Sequence, residues 1–256
     1  MNIVLNENEW AENMIKTKTL GKEPFETLCR VARYYIDKNY NKKNTRVMLD
    51  SFVIQCDPTT SLVQWSDTLD IALKKAIRTP SLKVDYIDIT APEMDKINKL
   101  SSTQLRRLAF TLLCLAKYWN LKKPGKDSWV SNDESEIMKL ANISTSTKRR
   151  CELIRTLSES GYISLSKKVD NTSVRVCFEE DGDVVMRVYD FRNLGYQYLR
   201  YIGEPIYECQ NCGIVTKVKN PNKGRPPKYC CECSKEIKSM QDYAAVRRLR
   251  DRYILQ

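Results

Sequence analysis

The sequence predicts a mainly helical protein with small β elements, organised in three parts at residues 1–89, 90–205 and 206–256. Apolar residues recur at helical spacing through most of the first two parts, whereas the stretch after Gly161 alternates apolar and polar residues as strands do. Two CxxC pairs follow near the C-terminus. A chain of 256 residues has the length for two or three compact units, and its 42% hydrophobic content is enough to form cores.

The first part is predicted to be an N-terminal helical module built mainly from three amphipathic helices. "PFETLCRVARYYIDK" places its apolar residues on one stripe, and Pro24 suits the first turn. "NKKNTRVMLDSFVIQC" and "SLVQWSDTLDIALKKAI" continue the pattern on either side of a break at "CDPTTS". The side chains expected to face the core are Phe25, Leu28, Val31, Ala32, Tyr35, Val47, Met48, Phe52, Val53, Leu62, Trp65, Leu69, Leu73 and Ile77.

Short helices with a "CDP" break before a closing helix resemble the small helical domain found C-terminal to some primases. The resemblance covers residues 26–77. It implies an accessory module associated with replication rather than a catalytic module. The packing of a helix bundle explains the same apolar residues without any such role.

The second part begins near residue 90, where "TAPE" is typical of a helix start. "SSTQLRRLAFTLLCLAKYWNL" is predicted as a long helix that is apolar on most of its faces and therefore central to a fold. A short helix capped by Ser131 or Asn132 follows, and then a longer helix that ends at Gly161. The inward-facing residues expected along these helices are Leu105, Leu108, Ala109, Leu112, Leu115, Ala116, Ile137, Met138, Leu140, Cys151, Ile154 and Leu157, with Leu153 as a further candidate.

Two strands are predicted in "YISLSKKVDNTSVRVCFEE", with "KVDNTS" as their hairpin turn. Residues 184–191 are expected to add a strand to the same sheet. Helix, helix, turn, helix and hairpin follow one another here in the order of a winged helix-turn-helix. Residues 90–205 are therefore predicted to form a winged helix-turn-helix domain.

The start of the last helix in this domain carries hydroxyls and cations, a combination suited to nucleic acid. Helix amides can bond to phosphates there, and side chains can reach base edges in the major groove. Cations of the hairpin are placed to contact the flanking phosphate backbone. The candidate contacts to double-stranded DNA are Ser146, Thr147, Lys148, Arg149, Arg150, Lys167, Lys168 and Arg175. An "STST" run is also a good helix cap, and winged folds also bind proteins.

Four cysteines of the third part have the spacing of a zinc ribbon. Cys209 and Cys212 form one CxxC pair. Cys230 and Cys233 form the other, after seventeen intervening residues. Each CxxC turn can bring two sulfurs to one tetrahedral ion at ~2.3 Å. Because four thiolates complete the shell, the sequence predicts one structural Zn²⁺ with no open position for chemistry.

Alternatives exist for the same cysteines. Cys231 could replace Cys230 only in a C-x-C knuckle of strained geometry, so it is predicted to be a non-ligand. Iron–sulfur ligation by four cysteines stays open. A redox dithiol is disfavoured, because such motifs occur singly at a strand-to-helix junction. The segment between the two pairs is expected to form two short strands with a turn at residues 220–224.

The chain is basic, and most of the excess lies at its C-terminal end. The formal net charge is +11, and residues 209–256 contain eleven basic residues against four acidic ones. A final helix is predicted to pack Ile237, Met240 and Ala244 while presenting arginines, which suit phosphate. The candidate phosphate contacts in this part are Lys228, Arg247, Arg248, Arg250 and Arg252. A solvated charged tail is the alternative.

No catalytic residues are predicted, and the protein is not expected to be an enzyme. The chain has no histidine, which excludes Ser-His-Asp and Cys-His nucleophilic sites and HExxH metalloenzymes. Neither a P-loop nor a GxGxxG motif is present. The acid pairs Asp85/Asp88 and Asp133/Glu134 leave a metal-dependent nuclease as a third class, although such pairs are usually solvated faces or caps.

The location is expected to be cytoplasmic. The N-terminus lacks the basic start and apolar stretch of a signal peptide, and the most apolar run, residues 108–119, is too short to span a bilayer. We therefore expect reduced cysteines and no membrane partner.

Three segments, "INKLSSTQLRRLAFTLLCLAKYWN", "GYISLSKKV" and "RPPKYCCECSKEIK", carry a second resemblance. They are similar to uncharacterised proteins of bacteriophages and mobile elements of low-GC Gram-positive bacteria, with a winged helix-turn-helix and a C-terminal zinc ribbon. The resemblance covers residues 90–256 and implies provenance and architecture rather than a mechanism.

We therefore expect a DNA-binding protein of a phage or mobile element that acts in transcription control or replication. The alternative is a non-enzymatic protein-interaction factor. Such a factor would bind or inhibit a host polymerase, replication or transcription protein, or a defence complex.

Overall fold

The computed structural model describes residues 3–79, 81, 84–123, 125, 127–167, 173–218 and 227–254, without the side chains of residues 244 and 247–254. The chain divides into two compact units, Met1–Tyr86 and Ile87–Gln256. The predicted mainly helical fold with small β elements is confirmed: the described residues form ten helices and seven short strands. The strand at Ile87–Thr90 belongs to the second unit, and a further division of that unit near residue 205 stays a prediction.

The first unit consists of four helices: α1 (Glu7–Thr17), α2 (Pro24–Asp37), α3 (Lys42–Cys56) and α4 (Leu62–Arg78). Asparagine side chains fix two of the starts, since Asn6 accepts a hydrogen bond from the Glu9 N–H and Asn41 accepts one from the Asn44 N–H. Pro24 occupies the first turn of α2, as predicted. These caps end the connecting turns at defined residues and so set which helix faces meet.

The core of the first unit differs from the predicted one at two positions. Val47 and Ile77 were expected inside, but their side chains are 57% and 51% exposed. Leu49 on α3 and Ala76 on α4 are buried instead. The buried stripe of each helix continues through residues three or four apart, and one early or late apolar residue falls outside it.

The second unit begins with β1 (Ile87–Thr90), α5 (Ala91–Asn98), α6 (Thr103–Lys122), β2 (Trp129–Val130), α7 (Glu134–Leu140) and α8 (Thr147–Glu159). It continues with β3 (Ile163–Leu165), β4 (Val174–Val176), β5 (Val184–Val188) and α9 (Leu194–Tyr201). The C-terminal elements are β6 (Ile206–Glu208), β7 (Val215–Lys217) and α10 (Cys231–Ile254).

Helix α6 is the centre of this unit, as its apolar pattern predicted. Eleven of its residues are buried, and it contacts α5, α7, α8 and α9. Phe110 on α6 packs against Tyr198 on α9 with ring centroids 5.8 Å apart. Gly195 lets α9 approach the end of α7, because a Cβ there would lie 2.0 Å from the Ala141 carbonyl oxygen. The unit is thus packed around one nearly enclosed helix.

A buried carboxylate ties the first strand to this helix. The Glu93 side chain is 0% exposed and accepts hydrogen bonds from the Thr90 N–H at 2.9 Å and from the Lys117 ammonium at 2.8 Å. Its other oxygen accepts from the Glu180 N–H at 3.1 Å. Both charged groups, Glu93 and Lys117, therefore have a partner, and a carboxylate can be buried only when its charge is paired in this way.

Three small antiparallel sheets complete the unit: β2-β4-β3, β1-β5 and β6-β7. The strand predicted in residues 184–191 was expected to extend the hairpin sheet, and that expectation is wrong. It forms β5, which pairs with β1 so that Val188 lies opposite Ile87. Both of these residues are buried, so the pairing places apolar side chains of distant segments in one core.

Two details of α7 and α8 also correct the sequence analysis. The cap of α7 is Asp133 rather than Ser131 or Asn132. Cys151 on α8 is exposed, whereas Leu153 and Leu157 are buried. Leu153 and Leu157 are four residues apart and lie on one face of the helix, whereas Cys151 lies on a different face.

Helix α10 does not pack as predicted. Met240 is 72% exposed, and Ile237 is only half-buried. Ala244 was also expected to pack, but its side chain lies outside the described part of the structure. From Lys238 to Val246, every side chain that the structure describes is exposed. The helix is therefore anchored at its start alone, as far as its described side chains show.

Candidate metal centre and nucleic-acid interface

The first cysteine pair lies in the turn between β6 and β7. Cys209 follows β6, and its N–H donates to the Ile214 carbonyl at 2.9 Å. The Gly213 N–H donates back to the Cys209 carbonyl at 2.9 Å, with Gly213 at φ +70°. This left-handed glycine closes a tight turn and directs the thiols of Cys209 and Cys212 to one side.

The second pair lies at the start of α10. Cys230 precedes the helix and Cys233 is in its first turn. The Cys230 N–H donates to the Cys209 sulfur at 3.2 Å, and the Gln210 N–H donates to the Lys228 carbonyl at 2.9 Å. The turn of the first pair is therefore hydrogen-bonded to Cys230 and to the residues just before it, which holds the two pairs next to each other.

The four sulfur atoms form a cluster whose size fits a metal ion. All four lie within 4.8 Å of one another, and the Cys212 and Cys230 sulfurs are 3.8 Å apart. Four sulfurs ~2.3 Å from a tetrahedral ion would be about 3.8 Å apart. Cys209, Cys212, Cys230 and Cys233, the four predicted ligands, are thus brought together and could hold one metal ion.

Hydrogen bonds and burial shift the pKa values of the clustered thiols in opposite directions. Burial raises the pKa of the Cys209 thiol, but backbone N–H donors, led by that of Cys230, outweigh burial and lower this pKa to about 6. Burial raises the pKa of Cys212 to about 12. The Asn211 side-chain amide donates to the Cys233 sulfur at 3.3 Å. This bond lowers the pKa of Cys233, but burial and the neighbouring Cys230 and Cys209 thiols raise it, and the net shift is upward. A bound cation would favour the thiolate form of all four cysteines.

Cys231 is exposed and is not in the cluster, in agreement with its predicted role as a non-ligand. The strand after the first pair, β7, is one of the two strands predicted between the pairs, and it pairs with β6, which lies before the first pair. The second predicted strand falls largely on residues 219–226, outside the described residues. The predicted turn at residues 220–224 lies outside the described residues.

The two cysteine pairs, together with β6, β7 and α10, form what we call the cysteine module. It is attached to the helical core by side chains that the sequence analysis missed. Arg192 donates to the Cys212 carbonyl at 2.7 Å, and the Asn193 amide donates to the Val215 carbonyl at 2.9 Å. Asn193 in turn accepts from Asn142, in the turn between α7 and α8, at 2.8 Å. Both asparagines have positive φ, at +55° and +56°, a property to which asparagine is suited. Two asparagines in separate turns give no signal of this pairing in the sequence.

The start of α8 presents the predicted hydroxyls and cations to solvent. Ser146 is the cap and accepts from the Arg149 N–H, while Thr147 and Lys148 are exposed. The Arg149 guanidinium pairs with Glu152 at 3.0 Å, with both side chains about half exposed. Arg150 is half-buried and donates to the Thr145 carbonyl at 3.3 Å.

The remaining candidate contacts fall on three separate segments. Lys167 and Arg175 of the hairpin are exposed, and Arg175 donates to the Asp127 carbonyl at 3.0 Å. Lys168 lies outside the described residues. Lys228 is exposed beside the second cysteine pair. The backbone at Arg247, Arg248, Arg250 and Arg252 is part of α10, and their side chains lie outside the described part of the chain.

One member of each acid pair considered in the sequence analysis has a structural partner. Asp88 pairs with Arg187 at 3.1 Å, and Asp133 caps α7 by accepting from the Ser135 N–H. Within the described part of the chain, the cysteine cluster is the one group of three or more potential metal ligands close together.

No protein-family model, no curated protein and no solved structure matches the chain. The two resemblances inferred from the sequence therefore stay predictions. In the segments that the structure describes, no helix has both the length and the apolar character needed to cross a membrane.

Proposed function

We propose that the protein binds double-stranded DNA through the start of α8 and the β3–β4 hairpin. The observation that carries the proposal is the element order α6, β2, α7, α8, β3, β4, with the sheet order β2-β4-β3. A helix pair followed by a hairpin is the arrangement of a winged helix-turn-helix, in which the second helix of the pair enters the major groove. Transcription control or replication in a phage or mobile element is the output that we propose.

The charge at the start of α8 supports this choice of surface. Lys148 is exposed, and Arg149 is held only by a half-exposed pair with Glu152. Exposed ion pairs of this kind contribute about 0–1 kcal/mol, so Arg149 can exchange Glu152 for a phosphate at low cost. Backbone N–H groups of the first turn add donors for the same phosphate.

For the cysteine cluster we propose one structural Zn²⁺. Four sulfur ligands at tetrahedral spacing, with hydrogen-bond donors around them, support zinc, and a filled shell supports a structural rather than a catalytic role. The ion would fix the start of α10 and so the direction in which its four arginines extend. The arginines would add affinity for the DNA backbone that falls with salt.

The test is fluorescence anisotropy with random duplex DNA at two salt concentrations. The variant Lys148→Ala is compared with Lys74→Ala, which removes an exposed lysine from α4 in the other unit. We expect wild-type affinity to fall steeply with salt. Lys148→Ala should weaken binding and reduce the slope of log K against log salt by about 1, while Lys74→Ala leaves both unchanged.

Two results would refute the proposal. One is the absence of binding by the wild-type protein at micromolar concentration and low salt. The other is an equal effect of Lys148→Ala and Lys74→Ala, because a diffuse charge effect requires no dedicated surface.

The exposed apolar side chains of α10 favour a second candidate, a protein-interaction factor. Met240, Tyr243 and Val246 are each more than 60% exposed, and they follow one another at three-residue spacing. An apolar stripe on a helix suits a groove of a protein partner. If DNA binding fails, retention of a host polymerase or replication protein after nuclease treatment, and its loss in Met240→Glu, would support this candidate.

A further inference from the structure

A cavity of about 260 Å³ opens into the helical core of the second unit. It lies between α6, α7, α8 and the β3–β4 hairpin. Leu108, Leu112 and Val174 line its buried part, each less than 5% exposed. Ile154 is half-buried and Leu165 is 50% exposed, so the cavity reaches solvent between α8 and β3.

The size of this cavity exceeds what ordinary packing leaves. Protein interiors are packed as densely as organic crystals, with few voids larger than a water molecule. An apolar cavity of ~150 Å³ stays dry and binds benzene. A cavity of 260 Å³ therefore has room for an apolar group of about two fused rings.

Among the described residues that line this largely apolar cavity, one carries a charge. Glu134, in the first turn of α7, is half-buried at its wall. Among the described residues, Glu134 has no hydrogen-bond or ion-pair partner. Glu93, the buried acid of the same unit, has three donors. A carboxylate beside apolar walls attracts a cation, since desolvation strengthens their interaction.

We propose that this cavity is a binding site for a small hydrophobic organic cation. The apolar body of the ligand occupies the space bounded by Leu108, Leu112 and Val174. Its ammonium group reaches Glu134 at the cavity wall. Apolar walls with a few placed polar groups are the usual composition of a small-molecule site, with the polar group setting specificity. The site does not depend on DNA binding.

Three probes of one shape test the proposal. They are 1-naphthylmethylammonium, its neutral isostere 1-naphthylmethanol, and the 1-naphthoate anion. Binding to the intact protein is followed by NMR of methyl-labelled isoleucine, leucine and valine. We expect saturable shifts at Ile137, Ile154 and Leu165. The cation should bind about 3- to 10-fold more tightly than the alcohol, and the anion least tightly.

Two pairs of variants locate the site. Leu165→Trp fills the opening from an exposed strand position, and its control is Val184→Trp, at a comparably exposed position on β5. Glu134→Gln removes the charge, and its control is Glu159→Gln, an exposed acid on α8. We expect at least tenfold weaker binding of the cation in Leu165→Trp. Glu134→Gln should abolish the preference for the cation over the alcohol, and neither control should change binding.

Three results would overturn the proposal. The first is the absence of methyl shifts at millimolar cation. The second is equal binding of all three probes to the wild type. The third is unchanged binding in Leu165→Trp, with circular dichroism showing that the variant is folded.

Discussion

Helices α6 and α10 have similar lengths and opposite surroundings. Helix α6 has 20 residues, of which eleven are buried, and four other helices cover it. Helix α10 has 24 residues, and its described side chains from Lys238 to Val246 are all exposed. Its buried contact is Cys233, which belongs to the four-sulfur cluster. One helix is thus held along its length by apolar burial, and the other at one end by potential metal ligands.

The difference shows where each region obtains its folding free energy. A fully buried aliphatic or aromatic side chain contributes about 1.5–3 kcal/mol, and α6 carries many of them. In the cysteine module the buried cluster consists of Cys209, Cys230 and Cys233, with Cys212 and Ile214 packed against it. So small an apolar cluster cannot offset the entropy of ordering the segment, and a bound metal would supply the remainder.

Removal of the proposed metal should have the largest effect and should separate the two regions. Treatment with a strong chelator is expected to unfold residues 206–254, because structural Zn²⁺ contributes on the order of 10 kcal/mol to such modules. The helices around α6 should remain folded. Amide NMR of the intact protein measures this directly: signals of the module should move to random-coil positions, while those of α6 stay dispersed.

Cysteine variants provide the control for this prediction. Cys233→Ser should lose the metal and give the spectrum of the chelated protein. Cys231→Ser, at the exposed residue directly after Cys230, should keep one equivalent of metal by elemental analysis. Loss of metal in Cys231→Ser would show that the ligand set differs from the four clustered sulfurs.

Truncation within the buried helix should have the next largest effect. Phe110 is 0% exposed, and Phe110→Ala is expected to lower the free energy of unfolding by about 3–5 kcal/mol through lost burial and an unfilled cavity. Leu121, on the same helix, is 54% exposed, so Leu121→Ala should change it by less than about 0.5 kcal/mol. Denaturant unfolding followed by circular dichroism measures both. Similar losses in the two variants would mean that α6 is not the centre of the core.

Weakening the attachment between the regions should have the smallest effect. Arg192→Ala removes the hydrogen bond to the Cys212 carbonyl, and we expect about tenfold weaker metal affinity, because groups beyond the ligands orient them. Arg200→Ala removes a half-exposed ion pair with Glu208 and should change the affinity less than about twofold. Competition with a chromophoric chelator gives both affinities. Equal effects would show that the module binds metal without help from the core.

Local patterns in the sequence predicted the main features of both regions. The four ligands were identifiable because CxxC geometry is set within each pair, and α6 was identifiable because its apolar residues recur at helical spacing. The packing of Met240 was mispredicted for the same reason: an apolar residue on a helix was expected to be buried, but no element covers it in the described part of the chain.

Contacts between distant segments could not be predicted from the sequence. The pairing of β1 with β5, the bond between Asn142 and Asn193 and the close fit of Gly195 against Ala141 each join segments tens of residues apart. Nothing local distinguishes those partners from others. The pairing of β3 with β4 was predicted correctly, because these two strands follow each other in the chain. The pairing of β5 was predicted wrongly, because its partner β1 lies far away in the sequence.

The β1–β5 pairing also constrains when the second unit can fold during translation. The Ala91 N–H donates to the Asp183 carbonyl at 2.8 Å, so the chain between these residues is a closed loop whose ends meet at one hydrogen bond. During translation this closure must wait until residue 188 has left the ribosome. Until α9 follows, the face of α6 that contacts it is uncovered. The nascent chain therefore leaves this apolar face of α6 exposed while the 79 residues from Lys123 to Tyr201 are synthesised, and a chaperone would be of use in this interval.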